Sequence, residues 1–292
     1  MNEMKLQSGI FIIAAMITVL FCLLFSSDPT EQRVFMLGLA ILLLGVPHGA
    51  LDAHYARKIF GLRTLPQWTC FSILYLACAG LVVLTWKIAP TLFLAGFLSI
   101  SVFHFSEDID KRTGFLTRII YGGSILILPF FRHAEEVTHL FAQIIPADQA
   151  ESFRTFLEPL STGWLVLGIM TTGISLYRNF LTGLIVLSLG LLAVIAPPLL
   201  AFTVYFCVMH SPRHILRTLS YDRFSVKRVG LQGVVIPTLF TWLVIFFWGW
   251  KSTFSLESLV LSVTFVSLAA LTVPHMIILR ISGRANHGSK SL

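Results

Sequence analysis

The sequence is poor in charged residues. Only 12% of its 292 residues are Asp, Glu, Lys or Arg, whereas 56% are hydrophobic. A soluble domain carries about a quarter charged residues, so this composition excludes a soluble globular protein and predicts an integral membrane protein. The apolar segments leave no room for a separate soluble domain. We therefore expect residues 1–292 to form a single integral membrane domain.

Cysteine pairs and a leader cleavage site are also missing. No two cysteines are spaced as CxxC, and all four lie in or beside apolar stretches: Cys22, Cys70, Cys78 and Cys207. This argues against both a disulfide framework and a thiolate metal site. No small-residue cleavage site follows the first apolar run, so we predict that this run stays in the protein as a membrane helix.

Long apolar runs predict the fold. A membrane-spanning helix needs about 20 mostly apolar residues. Runs of this kind lie near 8–26, 34–54, 68–87, 90–107, 114–131, 161–177, 180–196, 198–216, 229–250 and 258–280. The predicted fold class is all-α, a polytopic transmembrane helical bundle of about ten spans. Eight spans would also fit, because several of the middle runs are short and interrupted by proline.

The basic residues predict the orientation. With ten spans, sixteen of the 21 Lys and Arg residues fall on the side that holds both termini, and five fall on the other. Positive residues collect on the cytoplasmic side, so both termini are predicted to be cytoplasmic in a multi-pass protein of the cell inner membrane. Topology thus explains the net charge of +7, and no nucleic-acid partner is expected.

Five histidines share one depth in this topology. His48, His104, His210, His214 and His275 lie near the cytoplasmic ends of the even-numbered spans. Ionisable side chains in a bilayer are costly and usually mark a functional site. His214 lies four positions after His210, so one helix face can present both rings. These five histidines predict a shared metal site, whereas each one alone would more often be a hydrogen-bonded packing residue.

The neighbours of these histidines suggest supporting roles. Asp52, Glu107 and Asp108 follow candidate ligands, and each could accept a hydrogen bond from the second nitrogen of a ligand ring. The alternative is that they are ordinary interfacial acids. Aromatic residues stand beside the same histidines: Phe103, Phe105, Tyr205 and Phe206. They predict either an apolar tunnel for a long, lipid-soluble substrate or simple packing against lipid.

Four motifs around these histidines resemble those of a known family. GVPHGALD, HFSED, YFCVMHSPRH and LTVPHM occur in this order between the second and tenth predicted spans. Together they resemble the Brp/Blh family of bacterial and archaeal membrane β-carotene dioxygenases. The resemblance implies oxygen-dependent cleavage of β-carotene at its central 15,15′ double bond to two molecules of all-trans retinal. It also implies retinal supply to microbial rhodopsins.

The resemblance also implies a cofactor and its ligands. The cofactor would be a non-haem Fe(II), and its ligands would be His48, His104, His210 and His214. His275 would lie beside the iron or against the substrate, without a ligand role. Asp52, Glu107, Phe103 and Tyr205 would be possible second-layer or substrate contacts. Membrane lipid would surround the site and deliver the carotenoid.

Other functions fit the sequence less well. A multi-span transporter or proton-coupled carrier could also use intramembrane histidines, but it predicts internal repeats and acids deep in the spans. The sequence contains neither. A di-haem cytochrome needs histidines at two depths, and a di-iron desaturase needs about eight of them clustered. Only five histidines qualify here, and they share one depth.

Overall fold

The computed structural model describes residues 2–25, 31–41, 52–221 and 256–288, and this part of the chain is helical, without strands. The helices are α1 (Asn2–Leu24), α2 (Glu31–Ala40), α3 (Asp52–Phe60), α4 (Leu65–Ile88), α5 (Pro90–Phe105), α6 (Phe115–Ile127), α7 (Ala134–Ala142), α8 (Ala147–Arg178), α9 (Phe180–Ile195), α10 (Pro198–Val204), α11 (Ser211–Tyr221) and α12 (Leu256–Gly288). A 3₁₀ turn (Leu128–Phe131) follows α6, and a π-helical segment (Tyr205–His210) joins α10 to α11. The all-α prediction is confirmed for these residues.

Four helices are long and apolar enough to cross a membrane by length and composition. They contain Glu3–Leu24, Leu65–Ile88, Ala147–Arg178 and Leu259–Ser282. A fifth candidate consists of Phe115–Phe131 and α7, which meet at an angle of 105°. Within the described residues, the fold is therefore a helical assembly with four or five candidate spans, and the predicted number of ten is not confirmed. The predicted span near 229–250 lies outside the described residues.

Two of the predicted spans correspond to helices that are shorter than a typical membrane-spanning helix. α5 and α9 contain 16 residues each, which is about 24 Å of helix against a hydrocarbon core of about 30 Å. The spacing of apolar and acidic residues from His133 to Pro159 predicts a short amphipathic helix at the membrane interface, but this stretch divides between two helices. α7 is the amphipathic part, and the residues after Pro146 begin the 32-residue α8.

Close helix contacts fix the position of α5. A methyl group on Gly122 of α6 would lie 2.2 Å from the carbonyl oxygen of Val102 and 2.6 Å from the nitrogen of Ser106. Only a residue without a side chain allows the two backbones to approach so closely. Val102 and Ser106 flank His104, so this contact places the last turn of α5.

The backbone changes from α-helical to π-helical winding at the end of α10. The π-helical segment from Tyr205 to His210 interrupts what would otherwise be a continuous helix from Pro198 to Tyr221. Such single π turns leave backbone carbonyls that an α-helix would satisfy, and they occur frequently at functional sites. α1, α2 and α11 all pack against this region. The segment carries His210 into the interior of the bundle.

Candidate metal centre

Four imidazole rings from three parts of the chain meet in the interior. His104 ends α5, His210 ends the π segment, His214 lies in α11, and His275 follows Pro274 in α12; all four are buried. Ring centroids are 4.7 Å apart for His104 and His210, 5.4 Å for His104 and His275, and 4.9 Å for His214 and His275. The predicted convergence of these rings is therefore present.

Asp108 lies behind one of these rings. Its Oδ2 accepts a hydrogen bond from the Tyr205 hydroxyl at 2.6 Å and lies 3.0 Å from Nδ1 of His210. Because a carboxylate accepts, Nδ1 donates, and the lone pair is then on Nε2. Burial acts to raise the pKa of Asp108, but His210 and then Arg217 outweigh it, and the pKa lies below its usual range.

The π winding explains how two side chains reach one oxygen. In a π-helix the hydrogen bonds run from residue i to i+5, so residues five apart lie on one side. Tyr205 and His210 are five apart and both contact Oδ2 of Asp108. In an α-helix the same two residues would diverge by about 140°. The segment therefore adopts the winding that this three-residue arrangement needs.

Asp52 makes a second arrangement of the same kind. Its Oδ1 lies 2.6 Å from Nδ1 of His275, and its Oδ2 accepts a hydrogen bond from the Tyr75 hydroxyl at 2.8 Å. The Asp52 side chain is buried, with 3% of its surface exposed. A buried carboxylate is costly unless hydrogen bonds compensate it. Asp52 thus orients His275, while its predicted partner His48 lies outside the described residues.

The first helix takes part in this network. Nε2 of Gln7 donates to the carbonyl of Val208 at 2.9 Å and to that of Met209 at 3.3 Å, within the π segment. Arg213 donates to Oε1 of Gln7 at 3.0 Å and to the carbonyl of Asp108 at 2.6 Å. Its third contact is the Ser8 hydroxyl. α1 therefore holds both the π turn and the arginine beside Asp108.

Replacing Gln7 by leucine should destabilise the protein. The change leaves two buried carbonyls and a buried guanidinium short of a partner, and each such loss costs about 1–3 kcal/mol. The thermal unfolding midpoint of the detergent-solubilised protein measures the effect. Thr18→Val is the matched control, because the Thr18 hydroxyl bonds only within α1, to the Ala14 carbonyl. An equal shift in both variants would contradict this role of Gln7.

The other predicted site residues take different positions. Tyr205 is buried and belongs to the hydrogen-bond network, while Phe103 is half exposed on the surface of α5. Phe105 and Phe206 pack against the His210 ring, at 4.9 Å and 5.2 Å between centroids. Phe105 and Phe206 thus form an apolar wall beside His210. Glu107 is partly buried in the turn after α5, next to Asp108.

The donor chemistry fits a metal that imidazole binds. Two of the four buried rings have a carboxylate at Nδ1, which is the usual arrangement behind metal-binding histidines. Among the described residues, however, no three His, Cys, Asp or Glu side chains are arranged to hold a metal ion. His48, the fourth predicted ligand, lies outside the described residues. The rings therefore supply suitable donors, and ligation itself remains a prediction.

An apolar cavity lies behind the second carboxylate. Its volume is about 440 Å³, and it lies between α3, α4 and α12. Its walls include Phe60, Phe71, Leu74, Tyr75, Pro274 and Ile277. Tyr75 and Pro274 connect this cavity to Asp52 and His275. The sequence placed no tunnel here, because these residues are spread over more than 200 positions of the chain.

Tyr75, Gln7, Ser8 and Arg213 are the parts of the site that the sequence did not reveal. For α1, the available indication of a role in the site was the polar pair Gln7 and Ser8 at the start of an apolar run. Nothing in the sequence around Tyr75 pointed to the site, because tyrosines are common at the ends of membrane helices. Their partners lie 23 residues away for Tyr75 and more than 200 for Gln7.

Known proteins resemble this chain over most of its length. Residues 39–281 match the family described as beta-carotene 15,15′-dioxygenase. A beta-carotene 15,15′-dioxygenase of an uncultured marine bacterium (66A03) is 29% identical over 262 residues, which is 82% of this chain and 90% of that protein. A probable beta-carotene 15,15′-dioxygenase, Blh, of Halobacterium salinarum is 25% identical over 226 residues, covering 68% of this chain and 65% of the relative. No solved structure matches. The motifs, the buried histidines and the match over residues 39–281 together show that this chain belongs to the β-carotene 15,15′-dioxygenase family of oxidoreductases.

Proposed function

We propose that this protein cleaves β-carotene at its central 15,15′ double bond with O₂ and releases two molecules of all-trans retinal. One carbon–carbon double bond breaks, and each half leaves as an aldehyde with one of the two oxygen atoms. No proton is gained or lost in this balance. The observation that carries the proposal is a cluster of buried, carboxylate-backed imidazoles in a member of this family.

The proposed cofactor is a non-haem Fe(II), held by His48, His104, His210 and His214. When bound, this ion supplies the oxygen chemistry, which no amino-acid side chain can provide. The protein would position the ion and exclude water from it. Asp108 and Tyr205 fix the orientation of the His210 ring, and Phe105 keeps water from one side of it. Imidazole is among the ligands that suit iron, which supports this assignment.

The apolar cavity supports a route from the bilayer. Exposed Leu74 and Ile277 lie at its wall, so its rim faces the surface that lipid would cover. A β-carotene molecule has no polar group, and only apolar contact and shape can position it. We propose that one end of the substrate lies in this cavity. The distance from the cavity to the histidines would then select the central double bond.

The number of spans and the side on which the termini lie are part of this proposal. Ten spans with both termini in the cytoplasm would place the histidines in the inner half of a cell inner membrane, with residues 1–292 as one membrane domain. The sixteen-to-five distribution of basic residues supports this orientation. β-Carotene and O₂ would reach the site through membrane lipid. A microbial rhodopsin would be the recipient of the retinal.

Expression in a bacterium that accumulates β-carotene tests the activity. We expect the orange colour to bleach and all-trans retinal to appear in the extract, measured by chromatography. His104→Ala, at the same expression level, is the control that should keep the colour. Colour retained by the unchanged protein under good expression and aeration would contradict the substrate assignment.

The transporter alternative predicts another result. A carrier leaves the total β-carotene content unchanged and purifies without iron. The comparisons give it no support, since both relatives carry dioxygenase names. Measuring retinal and iron in the same preparation therefore separates the two functions.

A further inference from the structure

His275 and His210 stand in the same surroundings. Each is 2% exposed, and each has its Nδ1 against a buried aspartate that also accepts a tyrosine hydroxyl. The two arrangements, Tyr205–Asp108–His210 and Tyr75–Asp52–His275, use separate helices and share no residue. In both, the lone pair is left on Nε2, the nitrogen that would face a metal.

His275 also lies between two predicted ligands. Its ring centroid is 5.4 Å from that of His104 and 4.9 Å from that of His214. A residue that merely packs beside the site would need no carboxylate at its outer nitrogen, because burying Asp52 is costly. A substrate contact would need none either, since β-carotene offers nothing for an oriented nitrogen to bind.

We propose that His275 is a ligand of the metal centre and that Asp52 and Tyr75 are its positioning residues. This inference rests on the proposed function, because it concerns the same iron. It differs from the role implied by the sequence motifs, in which His275 lies beside the iron without binding it. His275 would then add one more imidazole to those that hold the ion.

X-ray absorption at the iron edge tests the ligand role directly, because it counts imidazole groups whether or not the enzyme is active. With iron supplied at a concentration that saturates the variant, we expect one imidazole fewer in His275→Ala than in the unchanged protein. His139→Ala is the matched control, since His139 is exposed on α7, and its count should not change. An unchanged imidazole count in His275→Ala at full iron occupancy would overturn the proposal.

A second variant covers the case in which His275→Ala does not fold. Asp52→Asn keeps the size of the side chain but weakens the hold on Nδ1. Loss of such a partner typically lowers metal affinity by about 10–100-fold, and we expect this loss in an iron titration of the metal-free protein. Asp148→Asn is the control, because Asp148 is exposed in the first turn of α8, and it should bind iron normally. Equal iron affinity in Asp52→Asn and the unchanged protein would overturn the positioning role.

These outcomes separate the inference from the proposed function. If the unchanged protein forms retinal and binds iron but fails the two tests above, only the role of His275 is lost. If the unchanged protein binds no iron, the proposed cofactor fails, and the ligand role of His275 fails with it.

Discussion

Alanine at His210 is expected to abolish retinal formation and to remove the bound iron. The variant loses a proposed ligand, and a loss of more than about 100-fold in iron affinity is expected, since even residues behind a ligand account for about 10–100-fold. Iron per protein and retinal per cell measure the effect. His104→Ala and His214→Ala should behave alike, whereas His139→Ala should match the unchanged protein.

Folding must be separated from ligation in this experiment. Removing the His210 ring leaves the Asp108 carboxylate buried without one of its partners, and breaking a buried pair costs about 3–5 kcal/mol. His210→Gln retains an amide that can donate to Asp108, and it should fold while still losing iron. Full iron occupancy in two or more of the variants at His104, His210 and His214 would remove those residues as ligands.

Alanine at Gly122 is expected to destabilise the protein by at least about 3 kcal/mol. Overpacking typically costs about 1–3 kcal/mol, occasionally more, and here the added methyl group meets backbone atoms of Val102 and Ser106 at 2.2 Å and 2.6 Å. Neither atom belongs to a flexible side chain, so α5 and α6 must move apart. That movement would displace His104, and iron binding should weaken along with stability.

Gly96→Ala provides the matched control on α5. Nothing lies within 4 Å of a methyl group at Gly96, and alanine favours a helix over glycine by about 1 kcal/mol. This variant should therefore be as stable as the unchanged protein or more so. Equal thermal stability of Gly122→Ala and Gly96→Ala would show that the close contact between α5 and α6 is wrong.

Local sequence patterns predicted the helical class and predicted which histidines would come together. Apolar runs and the common depth of His104, His210, His214 and His275 are properties of short stretches, and the structure brings these four rings together. The carboxylate that contacts each histidine could not be predicted in the same way. Asp52 and His275 are 223 residues apart, and no spacing rule acts over that distance.

The number of spans could not be fixed from the sequence for a related physical reason. Hydropathy measures how apolar a run is, and a short helix buried among other helices is as apolar as one that faces lipid. α9 is such a helix, since half of its residues are buried in the core, Leu189 and Leu192 among them. The predicted span near 161–177 began after Pro159, yet Pro159 lies inside the continuous α8, which packs against α6, α7 and α9. Tertiary packing keeps the helix together where the local pattern predicts an end.

The wide turn at Tyr205–His210 also makes the geometry of the histidine cluster depend on how the backbone winds. It contains one residue more than an ordinary turn, and winding the same residues as an α-helix would rotate everything after them by about 100°. Arg213 and His214 would then face away from α1 and α12. The register of α11, and with it the position of His214, therefore depends on keeping the wide turn.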